Sequence, residues 1–213
     1  MKKNILNILV ILIVLASNSC EKKEPFVYKY ESAPVYTWGY AQFWGQHYVN
    51  YEVEENVLSL SLFTEGLYLD KNNSLNGNGQ YLFLDDIFVQ KGDTVFPEGE
   101  YLVLDSIGAK IISPGKLYEV DGIKKDIGAY IYFIEKNENF TKRKFIKSGK
   151  MTVTKSDKVL RFEFDFVLDD KSELKGYYIT SKLIIYDESV STKSDVSRFK
   201  INTQAQVINF KTK

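Results

Sequence analysis

Carboxylates and aromatic rings are the side chains with which this sequence could do chemistry. Histidine and cysteine are nearly absent: the 213 residues hold one His, His47, and one Cys, Cys20. A zinc site draws about four N, S or O ligands, usually several of them His or Cys. His47 therefore reads as a partly buried strand-end residue, and neither a metal nor any other cofactor is expected. Asp85-Asp86 and Asp169-Asp170 supply paired carboxylates, but glycosidases need two carboxyls roughly 5–10 Å apart across a cleft. Neighbours on a strand point to opposite faces, so neither pair alone makes that geometry, and turn or structural roles are expected. Asp70-Lys71-Asn72-Asn73-Ser74 starts as a calcium loop would. The Gly at position six and Glu at position twelve of such a loop are Leu75 and Tyr81 here, which leaves a polar hairpin connection. No G-x-S-x-G, Walker-type G-K-[ST], H-E-x-x-H or G-x-G-x-x-G is present, and no catalytic residue is assigned.

Trp38, Tyr40, Phe43, Trp44, Tyr48 and Tyr51 form the densest aromatic cluster. Aromatic faces stack on sugars and apolar ligands. On a strand Trp38, Tyr40 and Trp44 share one face and Phe43 the other, so these three are the candidate ligand-binding residues. Pointing outward they make a platform; pointing inward they are core.

The N-terminal residues carry a targeting pattern. Lys2 and Lys3 form a positive region, and residues 5–16 are apolar apart from Asn7. As a helix these residues reach roughly 18 Å, short of the about 30 Å of a bilayer core, so the layout is that of a secretory signal. The stretch ends Leu15-Ala16-Ser17-Asn18-Ser19-Cys20, which resembles the lipobox of bacterial lipoproteins in the looser form found in Bacteroidota. It departs from the pattern at Asn18, where a small residue is usual, and at Ser17, where an aliphatic is. The resemblance implies that residues 1–19 are removed and that Cys20 is the lipid attachment site. Each buried methylene of an acyl chain contributes about 0.8 kcal/mol, and more than one chain makes attachment stable. An ordinary cleaved signal and an uncleaved anchor are the alternatives. Glu21-Lys22-Lys23-Glu24 resembles the charged export signals of surface lipoproteins in that group. Residues 20–35, with Pro25 and Pro34, read as a tether. The expected location is the outer membrane, lipid-anchored, with the cell-surface and periplasmic faces both open.

The rest of the chain reads as one soluble domain over 36–190. Basic and acidic residues number 28 each, and removing 1–19 takes Lys2 and Lys3 and leaves 26 against 28. Nucleic-acid binders need a cationic excess to displace counterions from phosphates, so that class is excluded. A hydrophobic content of 44% excludes wholesale disorder, and a lone Cys excludes an intrachain disulfide. The apolar residues alternate: Leu58, Leu60 and Leu62 in one run, Leu160, Phe162, Phe164, Phe166 and Leu168 in another, Tyr130, Tyr132 and Ile134 in a third. A period of two puts one set on a core and the other towards solvent, and 15 Tyr with 14 Phe suit strands. Strands are predicted over 38–44, 47–54, 56–64, 80–89, 99–106, 115–121, 127–136, 143–155, 158–168 and 173–186. Asn76-Gly77-Asn78-Gly79 is predicted to be a flexible loop and Asp169-Asp170-Lys171-Ser172 a hairpin connection. The fold class is all-β, an antiparallel up-and-down barrel of about eight to ten strands with little helix, a β-sandwich being the alternative. Residues 191–213 form an extension that either adds one strand or wraps outside.

A family resemblance lies in the order of turns. Phe96-Pro97-Glu98-Gly99-Glu100-Tyr101 is followed by Gly128-Ala129-Tyr130, then Ser148-Gly149-Lys150-Met151-Thr152-Val153, Asp169-Asp170 and Leu174-Lys175-Gly176-Tyr177-Tyr178. This succession resembles the calycin-like β-barrel lipoproteins of Bacteroidota over about residues 80–186, departing from it at Glu100, where Thr is commoner. It implies a fold and no catalytic residue. Asp93-Thr94-Val95 and Asp105-Ser106-Ile107 resemble O-glycosylation acceptors of the same group, but such tripeptides are frequent by chance and turn chemistry at Asp is the expected role.

Function is then expected to be that of a lipid-anchored cell-envelope protein acting as a binding or interaction module. Its partner is the membrane, through the lipid, together with a glycan, a small apolar molecule or another envelope protein. Carboxylate-dependent glycan hydrolysis is the alternative; binding is favoured over an enzyme because the catalytic motifs are missing.

Overall fold

Alternating apolar residues give strands that must bury one face, and short polar connections leave them few partners beyond their neighbours in sequence. The computed structural model describes residues 29–72, 74–120, 122–135 and 142–190. The expected signal segment 1–19, Cys20 and the expected extension 191–213 lie outside the described residues. The strands are β1 Val35–Gly45, β2 Asn56–Thr64, β3 Leu67–Leu69, β4 Leu75–Gly77, β5 Gly79–Val89, β6 Gly99–Val103, β7 Ile111–Ile112 and β8 Lys116–Val120. They continue as β9 Ile123–Ile127, β10 Ala129–Ile134, β11 Lys142–Ser156, β12 Val159–Leu168, β13 Glu173–Leu174, β14 Tyr177–Thr180 and β15 Ile184–Asp187.

These strands close an eight-stranded mixed barrel. Pairing runs β1-β2-β5, then across to β11, then β12, β14 and back to β1. The gap between β5 and β11 is bridged twice: β10 pairs with both along one half of the barrel, while β7 and β6, parallel to each other, fill the other half. Along the β10 half, seven strands alternate in direction, so the first and last run the same way. The closing seam is therefore parallel, Val35 opposite Tyr177 and Tyr36 opposite Tyr178, and β15 prolongs it beside Tyr40 to Phe43. The barrel is all-β as expected from the alternation, and this seam and the β6–β7 pair are exceptions to antiparallel pairing.

The interior is packed. Leu58, Leu60, Leu62, Leu82, Leu84, Ile131, Met151, Phe162 and Phe166 are all fully buried in it. Phe162 meets Phe96 edge-on at 5.3 Å and stacks on Tyr178 at 6.1 Å. Residues before β1 cross one end of the barrel. The Gln80 side chain bonds both backbone groups of Glu31, at 3.1 and 3.3 Å. Lys175 N donates to Ser32 O at 2.6 Å, and Tyr177 N to Pro34 O at 3.2 Å. The last residues of the expected tether thus belong to the barrel.

Three predicted elements differ. Residues 47–54 form no strand: Gly45 and Glu52 adopt positive φ, 60° and 62°, and a 3-10 turn Val49–Tyr51 lies between them. The predicted loop at 76–79 is the return of a small hairpin, β3–β4, folded against the outside of the barrel. The last long strand is broken into β13, β14 and β15, the break at Lys182 fixed by Thr180 Oγ1, which accepts from Lys182 N at 3.1 Å.

Gly149 shows why a glycine sits inside β11. The strand carries an irregularity between Ile146 and Ser148, and Gly149 has φ 112°, where a Cβ would lie 2.1 Å from the Asp165 carbonyl oxygen. Gly149→Ala is expected to cost about 3 kcal/mol and to lower the melting temperature by roughly 6–12 °C. Thermal unfolding followed by circular dichroism measures it; a change under about 2 °C would mean the strand shifts freely at this point.

Candidate functional site

Trp38, Tyr40 and Trp44 share the outer face of β1, and Phe43 packs on the interior core. That outer face is not an open platform. Trp38 stacks on Phe63 at 3.9 Å, Phe63 on Tyr81 at 4.7 Å, and Tyr81 on Tyr132 at 6.2 Å, each pair directly opposite across β1, β2, β5 and β10. The Trp38 indole N–H donates to Leu67 O at 2.8 Å and so holds the β3–β4 hairpin down. Tyr40 lies beside Phe63 and meets Tyr186 edge-on at 5.8 Å. Trp44 is buried and donates to Ser59 Oγ at 3.3 Å. The candidate rings Trp38, Tyr40 and Trp44 therefore pack against the outside of the barrel.

The other members of that cluster, Tyr48 and Tyr51, go elsewhere. They lie on the turn after β1 and line a cleft of about 660 Å³ with Asp86 and Phe88 of β5, Asp105 and Ile107 from the loop after β6, and Ser113 after β7. This volume suits a small ligand or a few sugar units. Asp86 reaches the cleft through a bulge. Leu58 faces Ile87 and Leu60 faces Leu84, so three residues of β5 span what two span on β2. An extra residue in one strand re-aims its side chains. Tyr48 Oη donates to Asp86 Oδ2 at 3.0 Å, and Ser113 N donates to Asp86 O at 2.9 Å. Tyr48 stands between Phe88 at 6.1 Å and Tyr51 at 6.5 Å, and His47 meets it edge-on at 4.8 Å. Tyr51, 78% exposed, and Ile107, 57% exposed, form the rim.

The cleft and the incoming chain are at opposite ends. β1 starts at Val35 beside the crossing segment and runs 11 residues, roughly 35 Å, before the turn that carries Tyr48 and Tyr51. A second hollow, about 750 Å³, lies at the near end between the crossing segment and β3–β4.

Of Asp85 and Asp86 only Asp86 lines the cleft; the two sit in the bulge, between Leu84 and Ile87, which both face the interior. Asp169 and Asp170 occupy the β12–β13 turn. Lys144 Nζ at 2.7 Å, with Ser172 N at 3.0 Å and Ser172 Oγ at 2.5 Å, holds the Asp170 carboxyl below the usual carboxylate range. Asp70 Oδ1 accepts from Asn72 N and Ser74 N at 2.8 and 2.9 Å, a self-contained polar turn. Among the described residues no three His, Cys, Asp or Glu side chains gather as metal ligands. The molecule is thus a filled β-barrel with an aromatic and acidic cleft at one end. No family model, no curated protein and no solved structure matches the chain.

Proposed function

We propose that the protein is a lipid-anchored binding module of the bacterial cell envelope, held at the outer membrane through Cys20, with the Tyr48–Tyr51–Asp86 cleft as its ligand-facing surface. The polarity of the barrel carries this reading. Nine residues separate Cys20 from Tyr30, a reach of roughly 30 Å when extended. Tyr30 is already tied to the barrel, its hydroxyl donating to Glu173 O and its ring lying 4.1 Å from Lys144 Nζ. An anchor on that leash keeps the near end within about 30 Å of the bilayer and leaves the cleft at the opposite end free to face away from it. The packed interior leaves binding to the outer surface, which favours a glycan or envelope-protein ligand over an apolar molecule carried inside.

The test is a Cys20→Ser variant expressed in a lipoprotein-processing bacterium. It is expected to move from the membrane pellet to the soluble fraction, because acyl attachment is lost. A variant that still pellets with membranes overturns the anchor.

One observation favours a second reading, glycan hydrolysis: Asp86 and Asp105 line the same cleft. Hydrolysis predicts reducing-end release from a polysaccharide panel that Asp86→Asn abolishes; binding without release leaves the module reading standing.

A further inference from the structure

The cleft's chemistry narrows the class of ligand. Two carboxylates, Asp86 and Asp105, stand beside the rings of Tyr48, Tyr51 and Phe88, and among the described residues no Lys or Arg lines the cleft. The Tyr48 hydroxyl points its hydrogen at Asp86. Aromatic faces and carboxylates both attract a cation, and neither attracts an anion. Besides Asp86 and Phe88 of β5 the walls are turns and loops, and several of their amides are already used. Tyr51 N and Val53 N bond to Tyr48 O, Leu104 N to Ile112 O and Ser113 N to Asp86 O. A peptide adding itself as a strand would find those backbone groups already taken. The ligand is therefore recognised by side chains, through a flat face and a positive charge.

We propose that the cleft binds an amino sugar, its pyranose face against Tyr51 and its protonated amine between Asp86 and Asp105. This rests on the cleft being the binding surface. The experiment is calorimetric titration of the whole soluble domain, residues 21–213, with a glucosamine tetrasaccharide, its fully N-acetylated counterpart and trilysine at neutral pH and low salt. Acetylation removes the charge and keeps the sugar. The glucosamine oligomer is expected to bind at least about tenfold more tightly than the acetylated one, the range of a charge-assisted hydrogen bond. Asp105→Asn is expected to erase that preference. Tyr51→Ala, at an exposed position that leaves the fold intact by circular dichroism, is expected to weaken both oligomers at least about fivefold. Equal binding of the two oligomers with loss in Tyr51→Ala overturns the amine while the cleft stands. Trilysine binding in place of the sugars overturns the amino-sugar class. Binding that Tyr51→Ala and Asp105→Asn leave unchanged, or no binding of either oligomer, overturns the cleft as the site.

Discussion

Phe162→Ala is expected to destabilise the barrel by about 4 kcal/mol, among the largest losses a single truncation can cause. The ring is fully buried, with Phe96 edge-on at 5.3 Å and Tyr178 stacked at 6.1 Å. Its neighbours belong to separate parts of the fold. Val153 faces it from β11 and Tyr178 from β14, the strand that closes the parallel seam on β1, while Phe96 comes from the loop between β5 and β6. Removing it leaves a cavity that three rigid walls cannot all collapse into, so the transfer loss and the cavity loss add. In a domain of this size the melting temperature falls by roughly 8–16 °C. Tyr51→Ala serves as the comparison, an exposed truncation expected to stay within about 0.5 kcal/mol. Chemical denaturation of both variants measures the difference. A loss below about 1 kcal/mol at Phe162 would mean that the interior has slack, and the lumen would then return as a place for a ligand.

Much of this architecture was legible in the period of two. The runs at Leu58–Leu62 and Leu160–Leu168 put their apolar sets inward, and the same rule separated Phe43 from Trp38, Tyr40 and Trp44. What the period cannot say is whether the outward face stays wet. Here β3–β4 folds back over it and Trp38 bonds to that hairpin, so rings that alternation leaves outside the barrel are still half or fully buried. Strand direction is equally absent from the pattern. The parallel seam follows from the number of strands that pair around the barrel, which depends on β10 sharing its place with β6 and β7. The cleft was the least legible part. Tyr48 and Tyr51 were visible in the aromatic cluster, and Asp85-Asp86 stood out as two charges in an apolar strand. Asp105 and Ser113 belong to connections where no periodicity gives a direction. Only the bulge in β5 and the turn after Gly45 bring these segments together.

Buried tyrosines, Tyr81 and Tyr132 in the outer aromatic row and Tyr101 in the interior, also set the response to base. Burial, first of all, raises Tyr81 well above the ordinary tyrosine value, with Tyr40 and Tyr130 adding to it and the Ser61 bond working against it. Burial likewise raises Tyr101, helped by Asp93, and Tyr132, whose hydroxyl donates to Asp126. In all three the folded state favours the neutral phenol, so their contribution to stability is intact below about pH 10, the unfolded value. Above it the unfolded chain releases protons that the folded chain keeps, and stability falls until pH passes the folded values. The slope is about 1.4 kcal/mol per pH unit for each tyrosine, or about 4 for the three. A domain stable by about 5–15 kcal/mol is then expected to unfold cooperatively within a few pH units above 10. The phenolate absorbance of the trio should rise together with the loss of circular dichroism. Tyr132→Phe is expected to lower the number of protons released in the transition from about three to about two. A Tyr132 phenolate, read as the absorbance difference from Tyr132→Phe, that forms while the circular dichroism persists would show that base reaches the rings of the folded barrel. The row from Trp38 to Tyr132 would then be open enough to serve as a binding face in its own right, and the cleft would lose its claim to be the site.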